Sequence, residues 1–136
     1  MAKASGIGWT TCSVDDSGGV ARAIINDITD LDFATPRAVF DWTGIDKSAM
    51  ERGLGLADFS ITLNAVWNPA ATTTMFAVFS TVSSTTVART TTLTVGGKTL
   101  ANEVLYTDFQ LKRGNDGDFR ASIPGVLSDG VVPTWA

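Results

Sequence analysis

The sequence predicts a mainly β protein, an antiparallel β-sandwich or partial barrel with one flanking α-helix, built as a single domain over residues 1–136. Three observations carry this expectation. Phe59, Ile61, Leu63 and Ala65 alternate with Asp58, Ser60, Thr62 and Asn64, and a strand gathers such a set on one face where a helix would scatter it. The chain holds 19 threonines, whose β-branch favours strands. Its acids are 12 Asp and 2 Glu, a bias toward turns and strand ends rather than helix surfaces.

Taken in order, residues 1–19 read as a glycine- and serine-containing arm and turn, with Trp9 docked and Asp15-Asp16-Ser17-Gly18-Gly19 turning the chain. Ala21–Asn26 fits a short strand or a single helical turn. Thr29, Leu31 and Phe33 alternate with Asp30 and Asp32, giving a strand with one acidic face. Arg37–Trp42 after Pro36 reads as a further strand. From Thr43 to Gly55 the period lapses into a long loop of three glycines and four charges, in which Asp46 could cap a helical turn ended by Gly53.

The organising strand follows at Asp58–Ala65 and stops at Asn68-Pro69, since proline donates nothing to a ladder. One of Thr72, Thr73 and Thr74 caps a helix of roughly 11 residues, near 16 Å at about 1.5 Å per residue. Its apolar stripe is Met75, Phe76, Phe79 and Val82, expected as core. Val87–Val95 is a threonine-rich strand with Arg89, Thr91 and Leu93 on one side and Thr90, Thr92 and Thr94 on the other. Gly96-Gly97 signals a hairpin. Leu105, Thr107, Phe109 and Leu111 are expected on one face of the next strand. Asn115-Asp116-Gly117 turns the chain, and Phe119, Ala121 and Ile123 return on an inward face before a C-terminal arm over 124–136. The sum is six to eight strands and one helix.

Composition narrows the function. The net charge of −4 with no histidine leaves no basic footprint for gripping nucleic acid and removes the commonest general base and metal ligand. Cys12 is the one cysteine; with no partner thiol it fits a reducing compartment, and with no histidine to activate it an inert thiol is expected. Met1–Gly6 carries no apolar signal-like core, and no run approaches a membrane span, so a soluble protein is expected. Gly96-Gly97-Lys98-Thr99 resembles the end of a phosphate loop, but Thr92 stands where the first glycine belongs, which favours the hairpin. Asp15-Asp16-Ser17-Gly18 lacks the spacing and closing glutamate of a calcium loop. Asp30 and Asp32 have no neighbour in sequence that would tune them for catalysis. The four tryptophans are spaced as core or interface anchors. Neither an enzyme nor a cofactor is expected. A structural protein is, with a soluble immunoglobulin-like or carbohydrate-binding adhesion module as the alternative.

The run Asp41-Trp42-Thr43-Gly44-Ile45-Asp46-Lys47-Ser48-Ala49-Met50-Glu51-Arg52, followed by Gly55–Leu63, resembles the major tail tube proteins of long-tailed, non-contractile bacteriophages. The likeness continues through Asn68-Pro69-Ala70-Ala71, the Phe76–Phe79 helix, the Gly-Gly hairpin between Leu93 and Leu105, and Asp129–Trp135. Contractile-tail tubes, gene transfer agents and tail-like bacteriocins share that fold. The resemblance implies hexameric rings stacked into a hollow tube in the virion tail, made in the host bacterial cytoplasm, through which viral DNA passes without sequence-specific binding. It also implies tape measure and tail terminator or tip proteins as partners, and no membrane. On that expectation Asp58, Ser60, Thr62, Asn64, Thr90, Thr92 and Thr94 face the bore, the competing placement being the tube's outside. The loop bearing Gly44, Ile45, Asp46, Lys47, Met50, Glu51, Arg52 and Leu54 joins one ring to the next, the competing placement being a surface loop packed on its own subunit.

Overall fold

The computed structural model describes residue 3 and residues 5–136. Among the described residues it is mainly β, with ten antiparallel strands, one short α-helix and a single 3-10 turn at Gly6–Gly8. The strands are β1 (Trp9–Asp15), β2 (Ala21–Ala23), β3 (Ile28–Ala34), β4 (Arg37–Asp41), β5 (Arg52–Ala57), β6 (Ser60–Val66), β7 (Arg89–Val95), β8 (Lys98–Tyr106), β9 (Gln110–Arg113) and β10 (Phe119–Leu127), and α1 spans Met75–Phe79. Eight strands form one sheet in the order β2-β1-β7-β8-β10-β6-β3, with β9 also paired to β10; β4 and β5 form a separate two-stranded sheet.

The large sheet curls around a single core. Cys12 and Val14 of β1, Leu93 of β7, Leu100, Val104 and Tyr106 of β8, Ala121 and Ile123 of β10 and Ile61, Leu63 and Ala65 of β6 join one buried cluster. Period-two patterning makes this possible, since each strand gives alternate side chains to the same inside. The curl brings distant members of the sheet together. Trp9 at the start of β1 meets Phe33 of β3 edge-on, with ring centroids 6.2 Å apart. Trp135 lies 5.9 Å from the same Phe33 and bridges Leu100.

Helix α1 plugs the curl. It has five residues rather than about 11, too short to stand alone, so packing holds it. Thr74 caps it, its hydroxyl accepting from the Ala77 amide at 3.2 Å. Met75, Val78 and Phe79 are fully buried, whereas Phe76 and Val82 are half-buried against the core's margin, Val82 lying beyond the helix in the following turn.

Further expectations are corrected. The stretch expected as an arm over residues 1–19 is not one from Trp9 onward, since β1 lies inside the sheet between β2 and β7; residues 1, 2 and 4 of that stretch lie outside the described residues. Arg52–Gly55 is strand β5, not loop, and residues 46–52 form no helical turn. Residues 124–127 complete β10 rather than begin an arm. The strand expected around Leu105–Leu111 is two strands, and the facing is reversed in the first of them, where Val104 and Tyr106 point inward and Leu105 outward, while Phe109 packs on the core and Leu111 lies opposite buried Ala121. Pro124 explains the break between β8 and β9. Its carbonyl accepts from the Thr107 amide on that side at 3.1 Å, but it has no N–H to return, so the ladder lapses there.

Turns hold the register. Gly96 and Gly97 both have positive φ (59° and 78°), the backbone of a type I′ hairpin, and they join β7 to β8 with Val95 opposite Lys98.

Candidate functional site

Hairpin β4–β5 is an outgrowth. It continues β3 and β6 past Pro36 and Asp58, where the Asp58 amide donates to the Pro36 carbonyl at 2.9 Å. Every residue of β4 is exposed. The register pairs Val39 with Leu54 and Phe40 with Gly53. On one face Phe40 and Trp42 stack at 5.9 Å and nearly parallel, lying flat across the glycines of β5. A Cβ at Gly53 would sit 2.2 Å from the Trp42 ring and one at Gly55 would sit 2.7 Å from Phe40. The glycines are therefore seats for two aromatic rings. The opposite face carries Val39, Leu54 and Leu56, all exposed, Leu56 to 85%.

The hairpin's tip is stapled by polar contacts. The Asp41 carboxylate accepts from the Thr43 hydroxyl at 2.6 Å and the Thr43 amide at 3.0 Å. These two bonds, the hydroxyl first, lower the Asp41 pKa below its ordinary 3.8. The Thr43 hydroxyl in turn accepts from the Glu51 amide at 2.8 Å. Beyond this staple, Gly44 is half-buried while Ile45, Asp46, Lys47, Met50, Glu51 and Arg52 are exposed, Ile45 fully, and Asp46 and Lys47 pair at 3.8 Å at the surface. With Leu54, these eight residues lie together on one projecting element.

The residues expected to face a bore do not share one surface. Ser60, Thr62 and Asn64 are on the outer side of β6, and Thr90, Thr92 and Thr94 on the outer side of β7. Two strands, β8 and β10, separate them in the sheet order. Because β6 and β7 both turn their apolar sides into the one core, their polar sides point away from each other on different walls of the curl. Asp58 is exposed at the root of the hairpin, just before β6, and its carboxylate accepts from the Phe59 amide at 2.7 Å.

The wall formed by β9, β10, β6 and β3 is polar and mixed in charge. Asp30 and Asp32 lie on β3, Ser60, Thr62 and Asn64 on β6, Arg120 and Ser122 on β10, Gln110 and Lys112 on β9. A groove of about 630 Å³ runs over it, lined in part by Asp30, Asn64, Gln110, Lys112, Arg120 and Ser122. A β-bulge between Ile28 and Asp30 turns Thr29 outward, so it does not share the inward side with Leu31 and Phe33. The β7 wall is hydroxyl-rich. There Thr94 pairs with Thr99 at 2.9 Å, and Thr90 donates to Glu103.

Two buried polar groups hold this frame, and neither was singled out from the sequence for that role. Asp27 is 3% exposed; its carboxylate accepts from Asn68 Nδ2 and from the Met75 amide, both at 2.9 Å. It thus fastens the start of α1 to the β2–β3 turn and the end of β6. Its sign in the sequence is one acid inside Ile24-Ile25-Asn26-Asp27-Ile28. Arg89 is 2% exposed and donates to the carbonyls of Val78 (2.7 Å) and Asp15 (3.2 Å) and the hydroxyls of Thr81 (2.9 Å) and Thr85 (3.3 Å). Desolvation pulls its pKa down, opposed by the nearby Tyr106, Asp16 and Asp15. Cys12 is buried, and burial pushes its thiol up to about 11, which keeps it protonated and unreactive at neutral pH. Among the described residues no group of three or more His, Cys, Asp or Glu side chains is placed to hold a metal ion.

No family model matches this sequence, and no curated protein does. The fold is nonetheless found among solved structures. It is similar over 98% of this chain and 98% of the other, with TM-score 0.72 and 12% identity, to a chain from the tail of an empty GTA particle computed with helical refinement in C6 symmetry. It is likewise similar, at TM-score 0.68 and 10% identity over 97% and 99% of the two chains, to a chain of the virion of a native gene transfer agent (GTA) particle. The fold is therefore one also found in chains of a gene transfer agent tail and virion.

Proposed function

We propose that this protein is the subunit of a phage-type tail tube, assembling into hexameric rings that stack around a bore through which DNA passes. The observation that carries the reading is the hairpin. Val39, Phe40, Trp42, Leu54 and Leu56 are exposed on its two faces, and a two-stranded ribbon with no core of its own is marginal in water. Contiguous exposed apolar area marks an interaction site, and neighbouring copies would cover it. The C6 symmetry of the similar gene transfer agent tail supports six copies per ring.

On this reading the β9–β10–β6–β3 wall lines the bore and the Thr90, Thr92 and Thr94 wall lies outside. The first wall has two free strand edges, β3 and β9, so copies can continue it sideways. Duplex DNA carries one negative charge about every 1.7 Å, and the hydroxyls and amide of Ser60, Thr62 and Asn64 offer it no ionic grip. The Gly44–Leu54 tip reaches the next ring. The remaining partners are a tape measure protein within the tube and terminator or tip proteins at its ends. The protein resides in the virion tail and is made in the cytoplasm of the host bacterium. Negative-stain microscopy and sedimentation of concentrated protein test the reading. Rings of six or hollow tubes are expected; a monomer at high concentration in several salts contradicts it.

A further inference from the structure

Charge is distributed unevenly across the β9–β10–β6–β3 wall. At its β3 edge the outward side chains are Asp30 and Asp32. At its β9 edge the outward charge on the strand is Lys112, opposite Arg120 of β10, while Asp108, just before β9, accepts from Gln110 Nε2 at 2.9 Å. The middle strand β6 is uncharged on this side. Arg120 is already engaged by Asp118 at 2.8 Å. Among the described residues the ion pairs are Arg22–Asp16, Lys47–Asp46 and Arg120–Asp118, which leaves Asp30, Asp32 and Lys112 without an opposite charge within 4.0 Å. The wall is therefore acidic along β3, and its one cation outside an ion pair, Lys112, stands at the β9 edge.

We propose that these edges are the two halves of the joint within a ring, with Asp30 and Asp32 of one copy set against Lys112 of the next. The proposal rests on the ring assembly argued above and names what closes it. Strand direction permits the joint. β3, β6, β10 and β9 alternate in direction through successive antiparallel pairings, so β3 and β9 run oppositely. Rotation about a bore axis keeps each strand's direction along that axis, so β9 of one copy meets β3 of its neighbour antiparallel and the alternation continues around the ring.

The charges also exclude the wrong assembly. β9 is four residues long, and so short an edge makes few ladder bonds and would specify its partner poorly. Two β3 edges brought together would oppose aspartates, and two β9 edges would oppose lysines, with like charges across a strand pair destabilising each. Only the unlike pairing is favoured. It is head-to-tail, the kind of contact a ring requires and a two-fold dimer does not make.

The test is a complementation experiment with two single variants, Asp32→Lys and Lys112→Asp. Both positions are exposed, so each variant should melt with the parent. Alone, each should stay monomeric under conditions where the parent forms rings, because Lys112→Asp leaves only carboxylates across every joint and Asp32→Lys sets a second cation against Lys112, with Asp30 alone to offset it. Mixed in equal amounts they should form rings again, the two variants alternating, since every joint then pairs a cation with an anion. The chain carrying both substitutions should also assemble. Ring formation by the parent should weaken as salt rises, as screening of exposed pairs requires. Rings from either variant alone, or folded variants that fail to assemble when mixed, would overturn the joint while leaving the tube standing. A parent that never assembles would overturn the ring and this joint with it.

Discussion

The curled sheet and the hairpin are built from similar sequence and have opposite fates. β6 and β5 both alternate, and both have apolar residues at every second position. In β6 those residues, Ile61, Leu63 and Ala65, are buried. In β5 they are Leu54 and Leu56, both exposed. Alternation makes a strand in each case, but only a facing layer makes a core, and the hairpin has none within its own chain. Stability is therefore concentrated in the sheet and its helical plug, and the hairpin adds little to it.

The sharpest break of that contrast is in the plug. Phe79 is fully buried against Tyr106, with ring centroids 5.1 Å apart. Phe79→Ala should cost about 3–5 kcal/mol, measured by denaturant unfolding. A melt within a degree or two of the parent would mean that the sheet does not depend on its helix. Next comes Arg89, which ties the end of α1 to β7 and to the end of β1. Arg89→Met keeps most of the volume but strands four acceptors. A loss of about 2 kcal/mol is expected, again by denaturant unfolding, with no loss counting against a structural role.

The hairpin should behave in the reverse sense. Leu54→Ser with Leu56→Ser removes two exposed leucines that touch no core, and surface changes of this kind stay within about 0.5 kcal/mol. The monomer should melt as before while assembly, followed by sedimentation, is lost. Normal tubes from this variant would return the hairpin to the status of a surface feature, and a collapse of monomer stability would show that it packs on its own subunit.

The same contrast governs how far the sequence was readable. β6 was legible because its inward residues are large and its outward ones polar. β1 was not, since its inward Cys12 and Val14 are small and flanked by Thr10, Thr11 and Ser13, so the strand resembles a polar arm. β8 misled by putting polar groups inside. Asn102 is buried with its Nδ2 unpartnered, and Tyr106 is buried with its hydroxyl 2.5 Å from Thr91, while Leu105 faces out. β5 was lost to Gly53 and Gly55, which suggest a loop until the rings of Phe40 and Trp42 are seen to occupy their missing side chains. The helix was overdrawn because Val82 continues its apolar period into a turn. Of the site, the projecting residues 44–54 were found together, because a charged, glycine-bearing stretch without large anchors does leave the core. That the two polar strand faces diverge could not be read, because it depends on how the whole sheet curls.

The smallest expected effect is confined to the hairpin's tip. Asp41 holds Thr43, and Thr43 holds Glu51, through three bonds at the surface. The Thr43 bonds lower the folded pKa of Asp41 beneath its ordinary 3.8, so the ionised carboxylate favours the stapled tip. The sign of the linkage follows: this contribution is complete above the ordinary value and disappears as pH falls through the lowered one. The group is fully exposed, so no change in global melting should accompany it. Titrating the monomer from about pH 5 to about pH 2 should lower the protection of the Thr43 and Glu51 amides, taken relative to the intrinsic exchange rate at each pH, before the amides of β6 respond, because local opening at an exposed tip is separate from unfolding of the core. Asp41→Asn, which cannot titrate, should remove the pH dependence at the tip and leave the sheet unchanged. If the tip amides and the β6 amides instead loosen together, the hairpin and the sheet open as one unit, and the division between them is not a division in stability.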